Sequence, residues 1–145
     1  CRLMLELAGI RRTALRIGAE ALAELDALVG HMDVAVASEQ PQLFASFDTS
    51  FHRRLINLSG NRALVNAWEP IAPLIETILS ISEASMADID LPGAVDGHRK
   101  IIGALAAHDP AAAEDILRDH LTSGENLVYT ALRSVHPVRE EALQR

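Results

Sequence analysis

The sequence has a single cysteine, Cys1, among its 145 residues. That excludes an internal disulfide framework and a cysteine-based zinc site, and it suits a reducing compartment, so a cytoplasmic location is expected. Aromatic residues are scarce at 3 %, and the apolar mass comes chiefly from Leu, Ile and Ala. Such a mix disfavours sheets, which draw on β-branched and aromatic side chains, and favours helices. No apolar run approaches the ~18 residues that a membrane span requires, and no signal-peptide pattern opens the chain. Basic residues are also in deficit: Lys plus Arg number 13 against 20 Asp plus Glu, a net charge of −7. Arg2, Arg11, Arg12 and Arg16 account for four of the basic residues, and no dense basic run follows. A phosphate-binding face needs the opposite balance, so the chain by itself is not expected to bind DNA.

What is present is apolar residues at helical spacing. A hydrophobic fraction of 49 % in 145 residues fits one domain with one sizeable core. Leu3, Leu7, Ile10, Ala14 and Ile17 form one stripe, ended by Gly18. Leu22, Leu25, Val29, Met32 and Val36 form a second, running to about Glu39. Pro41 opens a third helix as a first-turn proline, with Phe44, Phe47, Phe51, Leu55 and Leu58 inward and Gly60 as its stop. Asn61 is the expected N-cap of a fourth, in which Pro70 and Pro73 predict a kink or break. The segment Asp88 to Gly93 reads as a loop into a fifth helix, about Leu91 to Ala107. Asp109-Pro110 then caps a sixth that runs to about Arg133, and a polar tail starts at His136. The expected fold class is all-α: an antiparallel bundle of about six to seven helices in one domain, residues 1–145.

Six histidines lie along this pattern, and helical geometry sorts them. Asp48 and His52 are one turn apart on the third helix and border its apolar face, so both can reach one ion. His98 shares a face with Ile101, Ile102 and Leu105. His120 lies among Ile116, Leu117, Gly124 and Leu127, where Gly124 is expected to leave room beside the imidazole. One carboxylate and three imidazoles suit zinc first, and nickel, manganese or iron as well, better than calcium or magnesium. The competing reading is a set of core histidines satisfied by hydrogen bonds. A D-x-x-x-H pair arises often by chance, and a lone inward histidine is more often a hydrogen-bonded core residue than a ligand. Four inward polar groups without partners would nevertheless be costly to bury, and a shared metal removes that cost. On pattern alone both readings stand. His31, near Leu28 and Val34, reads as a rim or packing residue. His108 sits at a helix end, where a cation complements the dipole.

Motifs add a resemblance. Phe47-Asp48-Thr49-Ser50-Phe51-His52-Arg53-Arg54-Leu55 followed by Ser59-Gly60-Asn61 resembles the D-x-x-F-H-x-x-L … a-G-N signature of the FadR-type C-terminal domain. That domain is the effector-binding half of a large subfamily of GntR transcription regulators. His98-Arg99-Lys100-Ile101 through Ala104-Leu105 is similar to its H-x-x-I-x-x-A-L helix. Asp109 to Ala113 with His120-Leu121 is similar to its D-x-x-x-A … H-L helix, and Arg2 to Glu6 to its R-x-x-L-E start. The resemblance spans about residues 2 to 133. It implies one divalent transition metal held by Asp48, His52, His98 and His120, and a small carboxylate effector met by Arg2. It further implies a homodimer, and a winged-helix DNA-binding domain that precedes this one and is missing from the chain. Gly9 and Ile10 depart from the alanine run common in relatives' first helix. The expected function is sensing, not catalysis. A metal-dependent hydrolase is the alternative, with Glu6 and Glu76 as the only candidate bases; Glu6 better suits a structural hydrogen bond or ion pair. A metal-free structural bundle is the other.

Overall fold

Pro41, Pro70, Pro73, Pro92 and Pro110 all fall at or near helix starts or breaks, and the chain folds accordingly. The structure is a computed structural model that describes the backbone of residues 1–85 and 90–135 and the side chains of 1–81 and 90–124. Among the described residues there are seven helices and no strand: α1 Arg2–Ala14, α2 Ala19–Ala37, α3 Pro41–Leu58, α4 Arg62–Trp68, α5 Ala72–Ser85, α6 Leu91–Ala106 and α7 Pro110–Val135. The fourth expected helix is divided in two by its prolines. Residues 69–71 form a turn, closed by the Ile71 N–H on the Trp68 carbonyl, and Pro73 stands in the first turn of α5. Proline lacks the N–H that would carry α4 onward, which explains the break. Of the expected loop from Asp88, the part before Asp90 lies outside the described residues, as does the tail from His136.

Helix ends follow local chemistry. Asn61 accepts from the Ala63 N–H, Asp90 from the Gly93 N–H, and Asp109 from the N–H groups of Ala111 and Ala112. Gly60 ends α3 at φ +66°, the left-handed region that glycine enters freely. Two other ends place ordinary residues there, Glu39 at φ 52° and His108 at φ 51°. In each case the next N–H reaches back to the helix, Gln40 to Ala35 and Asp109 to Ala104. This is the Schellman arrangement, and it offsets part of the strain.

Helix α3 is central and packs against α1, α2, α4 and α5, while α6 and α7 pair with each other and close on α2 and α1. One core combines Ile10, Leu25, Met32, Phe44, Phe51, Leu55, Ile101, Leu105 and Leu117. A smaller cluster of Ile56, Trp68 and Ala72 seats α4 and the start of α5. The polar residues Glu6, Asp48, Thr49, His52 and His98 are buried among these apolar groups. No described helix is long and apolar enough to cross a membrane.

Candidate metal centre

Asp48 and His52 occupy successive turns of α3, His98 the middle of α6, and His120 the middle of α7. Each offers one ligating atom, and these four atoms lie within 4.8 Å of one another. Atoms held about 2.1 Å from one ion are at most about 4.2 Å apart, so the set is close to bonding separation. The imidazoles touch: His52 stacks on His120 with centroids 5.4 Å apart, and His98 meets His120 edge-on at 4.3 Å. Phe51 lies edge-on to both His52 and His98 and closes the apolar side.

Hydrogen bonds outside the cluster fix how the rings face it. His98 Nδ1 is 2.8 Å from the Ala94 carbonyl oxygen, one turn back. A carbonyl only accepts, so Nδ1 carries the proton and a neutral His98 presents the Nε2 lone pair inward. That atom stands 3.1 Å from Asp48 Oδ1, yet it has no hydrogen-bond partner. His52 is oriented alike. Its Nδ1 is 2.5 Å from Glu6 Oε2, and its Nε2 is buried without a hydrogen bond, 3.7 Å from Asp48 Oδ1. Asp48 Oδ2 is the third orphaned atom. Polar atoms that converge in this way without hydrogen bonds are costly to bury unless a cation lies among them, a metal ion or, in its absence, the proton on His52. The donor set and its orphaned atoms therefore fit a divalent transition metal.

The charges are mutually dependent. Burial pushes the Asp48 carboxyl up, but His52 and His98 outweigh it and hold it well below the usual range. Burial likewise raises Glu6, and the His52 imidazole and the Arg2 guanidinium reverse the shift. For His52, burial disfavours the cation and Glu6 restores it, with Arg2 opposing and Asp48 helping, so its pKa is raised. His120 is different: burial, then His98 and His52, drive it down to about 2. It is a neutral donor at any physiological pH.

Arg2 is at this centre. Its Nε donates to Glu6 Oε1 at 2.7 Å, a terminal nitrogen lies 3.5 Å from Asp48 Oδ2, and its guanidinium sits 5.9 Å from the centre of the Trp68 ring. Glu6, read from sequence as a partner in a hydrogen bond or ion pair, makes both and links Arg2 to His52. One expectation needs correction. Gly124 does not make room for His120, because among the described residues a Cβ there would meet nothing within 4 Å. The glycine that does so is Gly97 on α6, where a Cβ would fall 2.6 Å from His120 Nδ1. Its position next to His98 was the available signal. His31 stacks on Phe47 at 4.9 Å with an exposed edge, as a rim residue would. His108 is at a helix end as expected, and its Nδ1 also reaches the Ala14 carbonyl at the end of α1. Glu76 is half-buried on α5.

The FCD domain model matches residues 1–123. The chain belongs to the FCD domain family. A curated relative of this FCD domain, a probable D-xylose utilization operon transcriptional repressor of Paenarthrobacter nicotinovorans, is 35 % identical over 82 residues, 57 % of this chain and 35 % of the relative. Among solved structures, Streptococcus agalactiae GntR is similar with a TM-score of 0.73 and 30 % identity, over 86 % of this chain and 55 % of that one. E. coli McbR/YncC shares the fold, with a TM-score of 0.81 at 17 % identity over 89 % of this chain and 64 % of that one. The FCD chain thus spans about half to two thirds of the solved proteins that it matches, and its match covers about a third of the curated one.

Proposed function

We propose that this FCD domain is the metal-dependent sensor of a small organic acid within a GntR-type transcriptional regulator. The observation that carries the reading is the cluster of buried polar atoms without hydrogen bonds on Asp48, His52 and His98, closed by the neutral His120. Zinc is the first choice of ion, with nickel, manganese or iron also suited to one carboxylate and three imidazoles. When bound, such an ion supplies Lewis-acid positions that a carboxylate can take.

Charge supports an anionic effector. With neutral imidazoles, the carboxylates of Glu6 and Asp48 exceed the single guanidinium of Arg2 by one negative charge. A divalent ion turns that into one positive charge, which an organic acid would neutralise. Arg2 is placed to meet the effector's carboxylate, for which its planar fork is suited. The name of the xylose-operon relative makes sugar-derived acids the first class to screen, before dicarboxylates and amino acids. Catalysis is the weaker reading, because Glu6, a candidate base, is already committed to Arg2 and His52. In the whole regulator, a winged-helix domain outside these residues reads DNA and the protein works as a homodimer. The effector acts by favouring one packing of the helices through its differential affinity.

Elemental analysis of the purified, untagged chain tests the metal, run beside the His52→Ala/His120→Ala double variant. About one equivalent of ion in the parent and none in the variant, both helical by circular dichroism, is the expected result. No metal in either protein after reconstitution would leave a bundle whose histidines only pack.

A further inference from the structure

Among the described residues three more buried polar atoms lack a hydrogen bond outside the metal ligands: Arg53 Nε, which has an ion pair with Glu69, and Thr49 Oγ1 and Trp68 Nε1, which have none. Thr49 and Trp68 are within 1 % of complete burial. An unpaired hydroxyl and an unpaired indole N–H inside a protein are unfavourable, and each such pair of orphans calls for an explanation.

Their placement supplies one. Thr49, Arg53 and Ile56 step by four and three residues along α3, so they share a face adjoining the one that carries Asp48 and His52. The end of α4 covers that face: Ile56 packs with Trp68, and Arg53 Nε pairs with Glu69 Oε1 at 3.2 Å. Arg2 joins the two regions, with one edge toward Asp48 and its plane near the Trp68 ring. Arg2 on α1 thus links the metal centre to Trp68 at the end of α4, and Thr49 lies on the adjoining face of α3.

We propose that Thr49 and Trp68 form a second polar subsite, which takes the far end of the effector while its carboxylate end is held at the metal and Arg2. The inference rests on the sensing function proposed above and narrows the ligand. An indole N–H only donates, and a threonine hydroxyl donates as readily as it accepts. The indole N–H, which has no acceptor capacity, makes the subsite select oxygen acceptors. The effector is an organic acid with a second oxygen function, a hydroxyl or carboxylate, along its chain.

Three acids of six carbons separate the possibilities: hexanoate, adipate and gluconate. Each is titrated calorimetrically into the zinc-loaded chain and into its Thr49→Val and Trp68→Phe variants. Adipate or gluconate is expected to bind at least about 10-fold tighter than hexanoate. Each variant should lose roughly 3- to 10-fold for the oxygenated acid, one hydrogen bond's worth, and nothing for hexanoate or zinc. Trp68 is the only tryptophan, so its indole N–H gives one assignable amide-region resonance. That resonance should move downfield with adipate or gluconate and stay in place with hexanoate, a readout independent of whether Trp68→Phe folds well. Equal affinity for all three acids, or a resonance that no acid moves, overturns the subsite. Zinc bound but no acid bound overturns both the subsite and the sensing function. Oxygenated acids bound with the same indole shift by a chain that takes up no zinc would leave the subsite standing and remove the metal.

Discussion

Glu6 Oε2 lies 2.5 Å from His52 Nδ1, with both side chains fully buried and Arg2 bonded to the other carboxylate oxygen. A carboxylate behind an imidazole fixes its tautomer and raises its basicity toward a metal on the opposite nitrogen. Glu6→Gln keeps the shape and removes the charge. Zinc affinity, measured by competition with a chromophoric chelator, is expected to fall about 10- to 100-fold while the helical content is retained. An unchanged affinity would remove Glu6 from any orienting role.

Gly97→Ala is expected to damage the same centre from another side. The new Cβ would fall 2.6 Å from His120 Nδ1, inside any tolerable contact, so the imidazole must move. Zinc affinity should drop by at least about 10-fold, the scale of a displaced ligand or its support. Gly124→Ala is the control: with no described residue within 4 Å of its Cβ, it should leave zinc binding alone and gain up to about 1 kcal/mol of stability from helix propensity. Titration of both variants decides whether Gly97 holds the space for His120, and equal zinc affinities would show that it does not.

Much of this arrangement was legible in the chain. The face shared by Asp48 and His52 follows from 3.6 residues per turn, and the apolar neighbours of His98 and His120 aim both inward. Asn61, Asp109 and Gly60 behave as their side chains dictate. Contacts between distant segments were not legible. That Gly97 rather than Gly124 faces His120 depends on the rotation of α6 against α7, which periodicity within either helix leaves open. Thr49 and Trp68 carry no motif, and their orphaned atoms become visible only when α4 is seated on α3. Glu39 and His108 in left-handed turns run against propensity, and only the backbone geometry reveals them.

Arg2 offers a test that separates effector from metal. Its guanidinium is tied to Glu6 and lies beside Asp48 without being a ligand. Arg2→Ala should weaken organic-acid binding by about 10-fold or more, the loss of a charge-assisted hydrogen bond, and zinc binding by much less. Calorimetry on the zinc-loaded variant measures the first and chelator competition the second. Equal losses would make Arg2 a support for the metal centre only.

The pH dependence of the metal-free domain follows from two histidines that shift in opposite directions. His52 has a folded pKa raised above its ordinary 6.5: burial opposes its charge, but Glu6 and Asp48 prevail. Its contribution to stability is complete below 6.5 and is lost as pH rises through the raised value. His120 is driven down to about 2, first by burial. The unfolded chain therefore takes up a proton below 6.5 that the folded chain refuses, and stability falls as pH drops. Glu6 and Asp48, both depressed by the net effect of their cationic neighbours, add a further loss at lower pH as they are protonated. Chemical denaturation of the chelator-treated protein should thus give a stability maximum near pH 6.5, with decline on both sides. His120→Asn should flatten the acidic arm and His52→Gln the alkaline one. Zinc should reverse the alkaline trend, because the proton on His52 competes with the ion and is given up as pH rises. A metal-free protein whose stability climbs steadily from pH 6 to 8 would mean that His52 is not held as a cation between Glu6 and Asp48.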